Sequence, residues 1–147
     1  MPIPRSCTGR GGRPRRWAYA ASHDSLTGLV NRAEFGRALD AACADGRAAT
    51  PAGGVPGRFG GDEFGVVLTD PAGAVPLAEG ILERMETPVP TGAGPLLLRA
   101  SIGVATLDED GSLGAGGLLG AADLAMYRAK RSGTHRYQVA APASAAA

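Results

Sequence analysis

The chain has 147 residues, enough for one domain with one hydrophobic core, and its apolar content of 44% is ordinary for a globular protein. No apolar run is long enough for the core of a signal peptide or for a membrane span, so both are excluded and a cytoplasmic location is predicted. Cys7 and Cys43 lie far apart and show no metal-ligand spacing, so two reduced thiols are expected. The net charge is only +1, but the first sixteen residues contain five arginines and no acid.

The two ends of the chain differ in composition from its middle. Residues 1–16 are predicted to be a disordered, arginine-rich leader because glycine and proline interrupt them. A basic arm could also contact acidic lipid or nucleic acid, although nucleic acid is not the expected partner. Residues 17–139 are predicted to form one domain, and residues 140–147 a disordered tail.

Helices and strands alternate within this domain, which predicts an α/β fold. A short helical stretch, Trp17 to Ser22, leads into a turn at positions 24–29. A helix then begins near Asn31 and carries an apolar face with helical spacing. That face consists of Phe35, Leu39, Ala42 and Cys43. The helix ends near position 45, and positions 48–57 (AATPAGGVPG) are predicted to form a flexible link.

A hairpin and a second helix follow the link. Arg58 and Phe59 end one strand, and Phe64 to Thr69 is predicted to be a buried strand. The second helix is expected to have Pro76 in its first turn and to run to about Glu86, since proline is favourable in a first turn. Its inward face is predicted to consist of Leu77, Ile81, Leu82 and Met85.

The remainder of the domain is predicted to contain a second hairpin and a last helix. The latter strand of this hairpin is the apolar run from Leu96 to Ala105. The last helix spans about Leu118 to Arg131, and Gly133 is a natural C-cap. Residues 137–139 are predicted to form an edge strand.

The tip of the first hairpin carries the candidate chemistry. Gly60 and Gly61 allow positive φ and leave no Cβ to block a ligand that approaches the backbone. Asp62 and Glu63 follow directly, and a carboxylate beside such a backbone could hold Mg²⁺ against the phosphates of a nucleotide. An ordinary hairpin turn would contain the same residues, so the string by itself leaves both interpretations open.

Four segments resemble the GGDEF family in order and direction. They are His23 to Arg32 (HDSLTGLVNR), Arg58 to Phe64 (RFGGDEF), Ser101 to Ala105 (SIGVA) and Ala122 to Gly133 (ADLAMYRAKRSG). The resemblance implies an α+β sandwich in which helices flank a sheet rich in antiparallel pairs. It also implies a diguanylate cyclase, which condenses two GTP molecules into cyclic di-GMP and two pyrophosphates. In this reaction two domains face each other as a dimer, and each brings one GTP.

The resemblance assigns roles to individual residues. Gly60 and Gly61 would approach GTP, and Lys130 would contact its phosphates. Asp62 and Glu63 would be the metal-binding and catalytic carboxylates for Mg²⁺, and the sequence does not decide which is the ligand and which the catalyst.

Three charged residues also have structural interpretations. Lys130 could instead satisfy the last carbonyls of its helix and interact favourably with the helix macrodipole. Asp24 is predicted to pair with Arg32 and to shape the turn, and Arg58 is predicted to hold the hairpin rather than to touch substrate.

The chain departs from the family between its first two motifs. Only positions 33–59 separate Arg32 from Gly60, which is short of the family by roughly forty residues, about the size of one strand–helix unit with its connections. The first strand and second helix, with a metal-binding aspartate and the guanine-recognising side chains, are therefore predicted to be missing. Loss of these groups predicts an impaired cyclase and open sheet edges.

Three hypotheses follow from this combination. The chain could be an active cyclase, a degenerate module that binds GTP, cyclic di-GMP or a partner without turnover, or a non-functional gene remnant. A partner would be a second copy or an intact GGDEF domain.

Overall fold

The structure, a computed structural model, describes residues 19–45, 53–107 and 113–141. Besides the helical residues 19–22, which agree with the predicted short helical stretch, this part of the chain contains seven short strands and three longer helices. The elements are β1 (Val30–Asn31), α1 (Arg32–Asp45), β2 (Val55–Gly60), β3 (Glu63–Val67), a 3-10 turn (Pro71–Gly73), α2 (Ala74–Met85), β4 (Val89–Thr91), β5 (Gly94–Leu96), β6 (Ser101–Val104), α3 (Gly114–Arg131) and β7 (Arg136–Val139). This mixture confirms the α/β class. The predicted leader, positions 17–18, positions 48–52 of the predicted link and positions 142–147 of the predicted tail lie outside the described residues.

Helix α1 begins and packs as its sequence predicts. The side chain of Asn31 caps it, because the backbone N–H of Glu34 donates to Asn31 Oδ1 at 3.0 Å. Phe35 and Leu39 are buried and form a core cluster with Val67 of β3. Cys43 is a free, half-buried cysteine at the edge of this cluster. The predicted apolar face is confirmed.

The first sheet has the order β1-β2-β3, in which β1 is parallel to β2 and β2 is antiparallel to β3. Gly57 and Gly65 face each other across β2 and β3, directly under the ring of Phe35. A Cβ at Gly57 would lie 2.8 Å from Phe35 Cδ2, and one at Gly65 would lie 2.7 Å from Phe59 Cζ. These two glycines therefore let the ring of Phe35 reach the sheet and pack edge-on against Phe59.

Two predictions about this sheet were wrong in part. Strand β2 begins at Val55, so the last positions of the predicted link, 55–57, belong to a strand. The strand predicted as buried, Phe64 to Thr69, is covered on one face only: Val67 is buried, whereas Phe64 is 56% exposed and Val66 39% exposed. Alternation along β3 sends Phe64 and Val66 to the face opposite Phe35, where both remain exposed.

Helix α2 begins at Ala74, so Pro76 lies in its first turn as predicted. A 3-10 turn precedes it, in which the side chain of Asp70 accepts a hydrogen bond from Ala72 N at 3.0 Å before the chain continues into α2. Ala78 is the buried residue of α2. Leu77, predicted to face inward, is 37% exposed. In the described ranges, no helix combines the length and the apolar character needed to cross a lipid bilayer.

The apolar run predicted as one strand, Leu96 to Ala105, is divided. Its first residue ends β5, which pairs only with β4, and its later part forms β6, which pairs in parallel with β7. Residues 97–100 between them are not in a strand and leave three side chains exposed, those of Leu97, Leu98 and Arg99. The predicted edge strand at residues 137–139 is confirmed as part of β7.

Helix α3 begins at Gly114, four residues before the predicted start, and packs on β6 and β7. Small residues allow a close approach: Ala125 and Ala129 are buried, and a Cβ at Gly103 would clash with the Ala122 carbonyl of the helix. After the helix, Gly133 has φ 124°, which confirms it as the residue that ends the helix.

The strands form three separate sheets, β1-β2-β3, β4-β5 and β6-β7. Among the described strands, β3 pairs only with β2, and β6 pairs only with β7, so each has one open edge. Helix α1 lies on the first sheet and α3 on the third, and the two helices contact each other, with Ala115 and Leu118 against the core cluster. The contact between α1 and α3, and not strand pairing, therefore joins the first sheet to the third.

Candidate functional site

The hairpin between β2 and β3 presents its four tip residues to solvent. Gly60 has φ 142° and Gly61 has φ 53°, both of which are unfavourable for a residue with a side chain. A Cβ at either position would meet no atom within 4 Å. The backbone conformation therefore requires glycine here, and it leaves an open surface on which a ligand could lie against the backbone.

Asp62 and Glu63 are exposed beside this surface. In the described part of the chain neither carboxylate has a hydrogen-bond or ion-pair partner, and no three acidic, histidine or cysteine side chains are grouped closely enough to hold a metal ion. Mg²⁺ in nucleotide sites commonly takes one or two protein carboxylates and completes its octahedron with phosphates and water. The donor set fits Mg²⁺ that is bound together with phosphates, but it does not fit a metal held by protein alone.

Arg58 holds the hairpin tip through the carbonyl group of Gly61. Its Nε and Nη2 atoms both donate to the carbonyl oxygen of Gly61, at 3.1 and 2.7 Å, and its Nη1 donates to both carboxylate oxygens of Asp24 at 3.0 Å. The guanidinium group also lies 6.0 Å from the centre of the Phe64 ring. The predicted role of Arg58 in holding the hairpin is confirmed.

The predicted Asp24–Arg32 ion pair is wrong. Asp24 pairs with Arg58, whereas the guanidinium group of Arg32 lies 6.0 Å from the centre of the Phe59 ring. The pair that forms joins positions 34 residues apart, so only the tertiary fold brings them together.

Asp24 is held on its other side by its own turn. It accepts hydrogen bonds from the Thr27 hydroxyl at 2.7 Å and from the backbone N–H groups of Thr27 and Leu26 at 2.9 and 3.2 Å. The Thr27 hydroxyl, together with the Arg58 guanidinium, lowers the pKa of Asp24 from 3.8 to about 2. Sequence reasoning missed the role of Thr27, although an aspartate with a threonine three residues later is a recognisable turn signal.

Lys130 lies in the last turn of α3 and is exposed. The end of the helix is satisfied by Ser132, whose backbone N–H and hydroxyl both donate to Arg128 O at 3.0 Å. Within residues 113–141, Lys130 forms no hydrogen bond with a helix carbonyl, so its interpretation as a hydrogen-bonding cap does not apply. The structure brings Gly60, Gly61, Asp62 and Glu63 together, but no described contact joins Lys130 to them.

A comparison with protein-family models identifies the scaffold that carries this hairpin. Residues 47–136 match the model described as diguanylate cyclase, GGDEF domain. The chain belongs to the GGDEF-domain family. The matched range contains the RFGGDEF hairpin, the SIGVA strand and helix α3, so the family predicted from the motifs is confirmed.

Known proteins similar to this GGDEF domain agree with that assignment. An uncharacterized signaling protein of Caulobacter vibrioides is 31% identical over 82% of this chain and 20% of its own length. The probable diguanylate cyclase DgcC of Escherichia coli K12 is 39% identical over 58% of this chain and 23% of its own length. The chain therefore spans about a quarter or less of the curated relatives that it matches. Among solved structures, the GGDEF domain of TpbB (YfiN) from Pseudomonas aeruginosa is similar with a TM-score of 0.67 and 28% identity, covering 81% of this chain and 94% of that one.

The Caulobacter alignment also measures an internal difference. It runs over 164 positions, yet 82% of this chain is only about 121 of its 147 residues, so about 43 aligned positions are occupied by the relative alone. The family-model match begins at residue 47, next to the end of α1. This difference agrees in size with the shortfall that the spacing of the first two motifs predicts.

Proposed function

We propose that this GGDEF domain acts in cyclic di-GMP signalling, binds a guanine nucleotide at the RFGGDEF hairpin and turns it over far more slowly than a complete cyclase. The observation that carries this proposal is the hairpin tip. It keeps the open glycine surface and both carboxylates, while the described residues provide no third acidic ligand near them.

The roles of the tip residues follow from their positions. Gly60 and Gly61 would let the nucleotide lie against the backbone, and Asp62 and Glu63 would hold Mg²⁺ against its phosphates. Bound Mg²⁺ would neutralise phosphate charge and stabilise the leaving pyrophosphate. Among the described residues, Lys130 is not in contact with the hairpin. It would therefore bind a phosphate only if the nucleotide extends from the hairpin to α3, or if a second domain presents its nucleotide to α3. Arg58 would keep Gly61 in place without touching substrate.

Low turnover is expected because the hairpin tip by itself does not provide the groups that position two GTP molecules for reaction. Cyclic di-GMP formation needs two GTP molecules held so that the 3′-hydroxyl of one faces the α-phosphate of the other, and misplacement by about 1 Å costs about 100-fold in rate. The 43 positions that the Caulobacter relative alone occupies are the expected source of the further positioning groups. A homodimer, or a heterodimer with an intact GGDEF domain, would be required to bring the two nucleotides together.

Incubation with GTP and Mg²⁺ tests this proposal, with cyclic di-GMP quantified by mass spectrometry. The expected rate is at least 100-fold below that of the matching domain of the probable diguanylate cyclase DgcC of Escherichia coli measured in parallel. Product formation at a rate similar to that domain, abolished by Glu63→Gln, would show a working cyclase and overturn the claim of low turnover.

A second candidate is a regulatory module that binds a nucleotide or a partner without turnover. It is favoured by the rigid support of the tip, which Arg58 maintains although the acidic set is incomplete. Calorimetric titration with GTP and with cyclic di-GMP distinguishes the candidates: saturable binding without product supports the module. Absence of both binding and product in a protein folded by circular dichroism would indicate a gene remnant.

A further inference from the structure

A cleft that the hairpin does not border lies between the end of α2, the segment before β6 and the segment before β7. It has a volume of about 180 Å³ and is lined by Glu86, Leu97, Leu98, Arg99 and His135. Cavities for drug-sized ligands usually measure about 300–1,000 Å³. The cleft is therefore too small for a guanine nucleotide, and a ligand would have to be a much smaller molecule.

His135 is held in an unfavourable state at this cleft. Its backbone has φ 64°, the only positive φ of a non-glycine residue in the described ranges. Its Nδ1 atom is buried without a hydrogen-bond partner there, and its Nε2 atom lies 3.8 Å from Glu86 Oε1. Strained backbone is commonly found at ligand sites.

The separation between His135 and Glu86 suits a shared cation. At 3.8 Å the two atoms are too far apart for a direct hydrogen bond. An ammonium group about 2.8 Å from each atom would donate to both the carboxylate and the Nε2 lone pair. For Nε2 to accept this hydrogen bond, the neutral imidazole ring must carry its proton on the buried Nδ1.

The other side chains complete a complementary surface. Arg99 places a guanidinium group on the same small cleft, and it has no ion-pair partner among the described residues. Leu97 and Leu98 also line the cleft and expose apolar surface. We propose that this cleft binds a small zwitterion of the α-amino-acid class: the ammonium group between Glu86 and His135, the carboxylate on Arg99 and an apolar side chain on the leucines.

Titration of the full chain with L-leucine, followed by amide chemical shifts, tests the proposal. We expect saturable shifts at the five lining residues in the millimolar range. 4-Methylpentanoate lacks the ammonium group and 3-methylbutylamine lacks the carboxylate, so each should bind at least about tenfold more weakly because one charge-assisted contact is lost.

Variants identify the groups that bind. Glu86→Gln and Arg99→Gln should each weaken L-leucine binding by about tenfold, whereas Arg84→Gln, exposed near the end of the same helix and outside the cleft, should bind as the parent does. Circular dichroism verifies that each variant is folded. Absence of saturable shifts with the parent chain, equal binding of the three ligands, or unchanged binding by the folded Arg99→Gln variant would each overturn the proposal.

Discussion

Arg58 connects two motifs that are distant in sequence, since one guanidinium group binds the carbonyl of Gly61 and the carboxylate of Asp24. Its fork geometry allows one side chain to satisfy both partners, which a lysine ammonium group cannot reproduce. Asp24 in turn depends on Thr27. The conformation of the hairpin tip is thus coupled to the turn before β1 through a short chain of charge-assisted hydrogen bonds.

Replacing Arg58 should loosen the hairpin. We expect Arg58→Lys and Arg58→Ala to lower the free energy of unfolding by about 1–2 kcal/mol, because the bonds to Gly61 are lost. Urea unfolding measures this change. Arg84→Lys, an exposed arginine outside these contacts, is the matched control, and equal effects of the two lysine variants would contradict the clamp.

The lowered pKa of Asp24 predicts a dependence of stability on pH. Its pKa is about 2 in the folded chain and 3.8 ordinarily, so its ionised form stabilises the fold fully above pH 3.8. That contribution should disappear as the pH falls through about 2. Urea unfolding at pH 5, 3 and 2 should show this loss in the parent chain and a smaller one in Asp24→Asn. A loss of the same size in both would assign the acid sensitivity to other groups.

At the scale of elements, the glycines of β2 and β3 decide how α1 packs. Phe35 approaches the sheet where Gly57 and Gly65 lie opposite each other. The ring of Phe59 packs edge-on against the ring of Phe35, with 4.7 Å between the two ring centres. The hairpin therefore has its two glycine pairs for different reasons. Gly60 and Gly61 provide positive φ at the tip, whereas Gly57 and Gly65 provide space under a ring.

A methyl group at Gly57 should be destabilising. Gly57→Ala would place a Cβ 2.8 Å from Phe35, so we expect the free energy of unfolding to fall by about 1–3 kcal/mol. Gly36→Ala is the matched control: Gly36 lies within α1, where a Cβ meets nothing within 4 Å, and it should raise stability by up to about 1 kcal/mol. Thermal unfolding compares the two, and a stabilising Gly57→Ala would refute this packing.

At the scale of the whole molecule, the chain is a GGDEF domain whose first and third sheets are joined through the contact between α1 and α3. The outer edge of β3 and the free edge of β6 are unpaired among the described strands. Phe64 and Val66 are exposed on the outer face of the first sheet. In the alignment with the Caulobacter relative, about 43 positions are occupied by that protein alone, a length sufficient for one strand and one helix.

Restoring such a segment should stabilise the fold. A chimera that carries the additional segment of the Caulobacter relative between α1 and β2 should unfold at a higher temperature than this chain, because it can pair free edges and bury Phe64. It should also form cyclic di-GMP faster by about 100-fold. A Gly/Ser segment of the same length is the control. Equal melting temperatures and equal rates in the two chimeras would show that the missing residues have neither role.

The sequence by itself determined the features that depend on local chemistry. These are the α/β class, the cap and apolar face of α1, the end of α3, the glycine tip and, through four ordered motifs, the family. It misplaced the start of α3, because a helix can begin among glycines when packing stabilises the added turn.

Only the tertiary structure decided which partners meet. Hydrophobicity predicts one strand for Leu96 to Ala105, but strand pairing divides it, since a strand exists only where a neighbouring backbone binds it. Asp24 pairs with Arg58 and not with Arg32 for a similar reason. The two residues are 34 positions apart, and the chain between them folds so that the guanidinium group reaches both the carboxylate and Gly61. Local patterns encode conformation, whereas contacts between distant residues depend on the path of the whole chain.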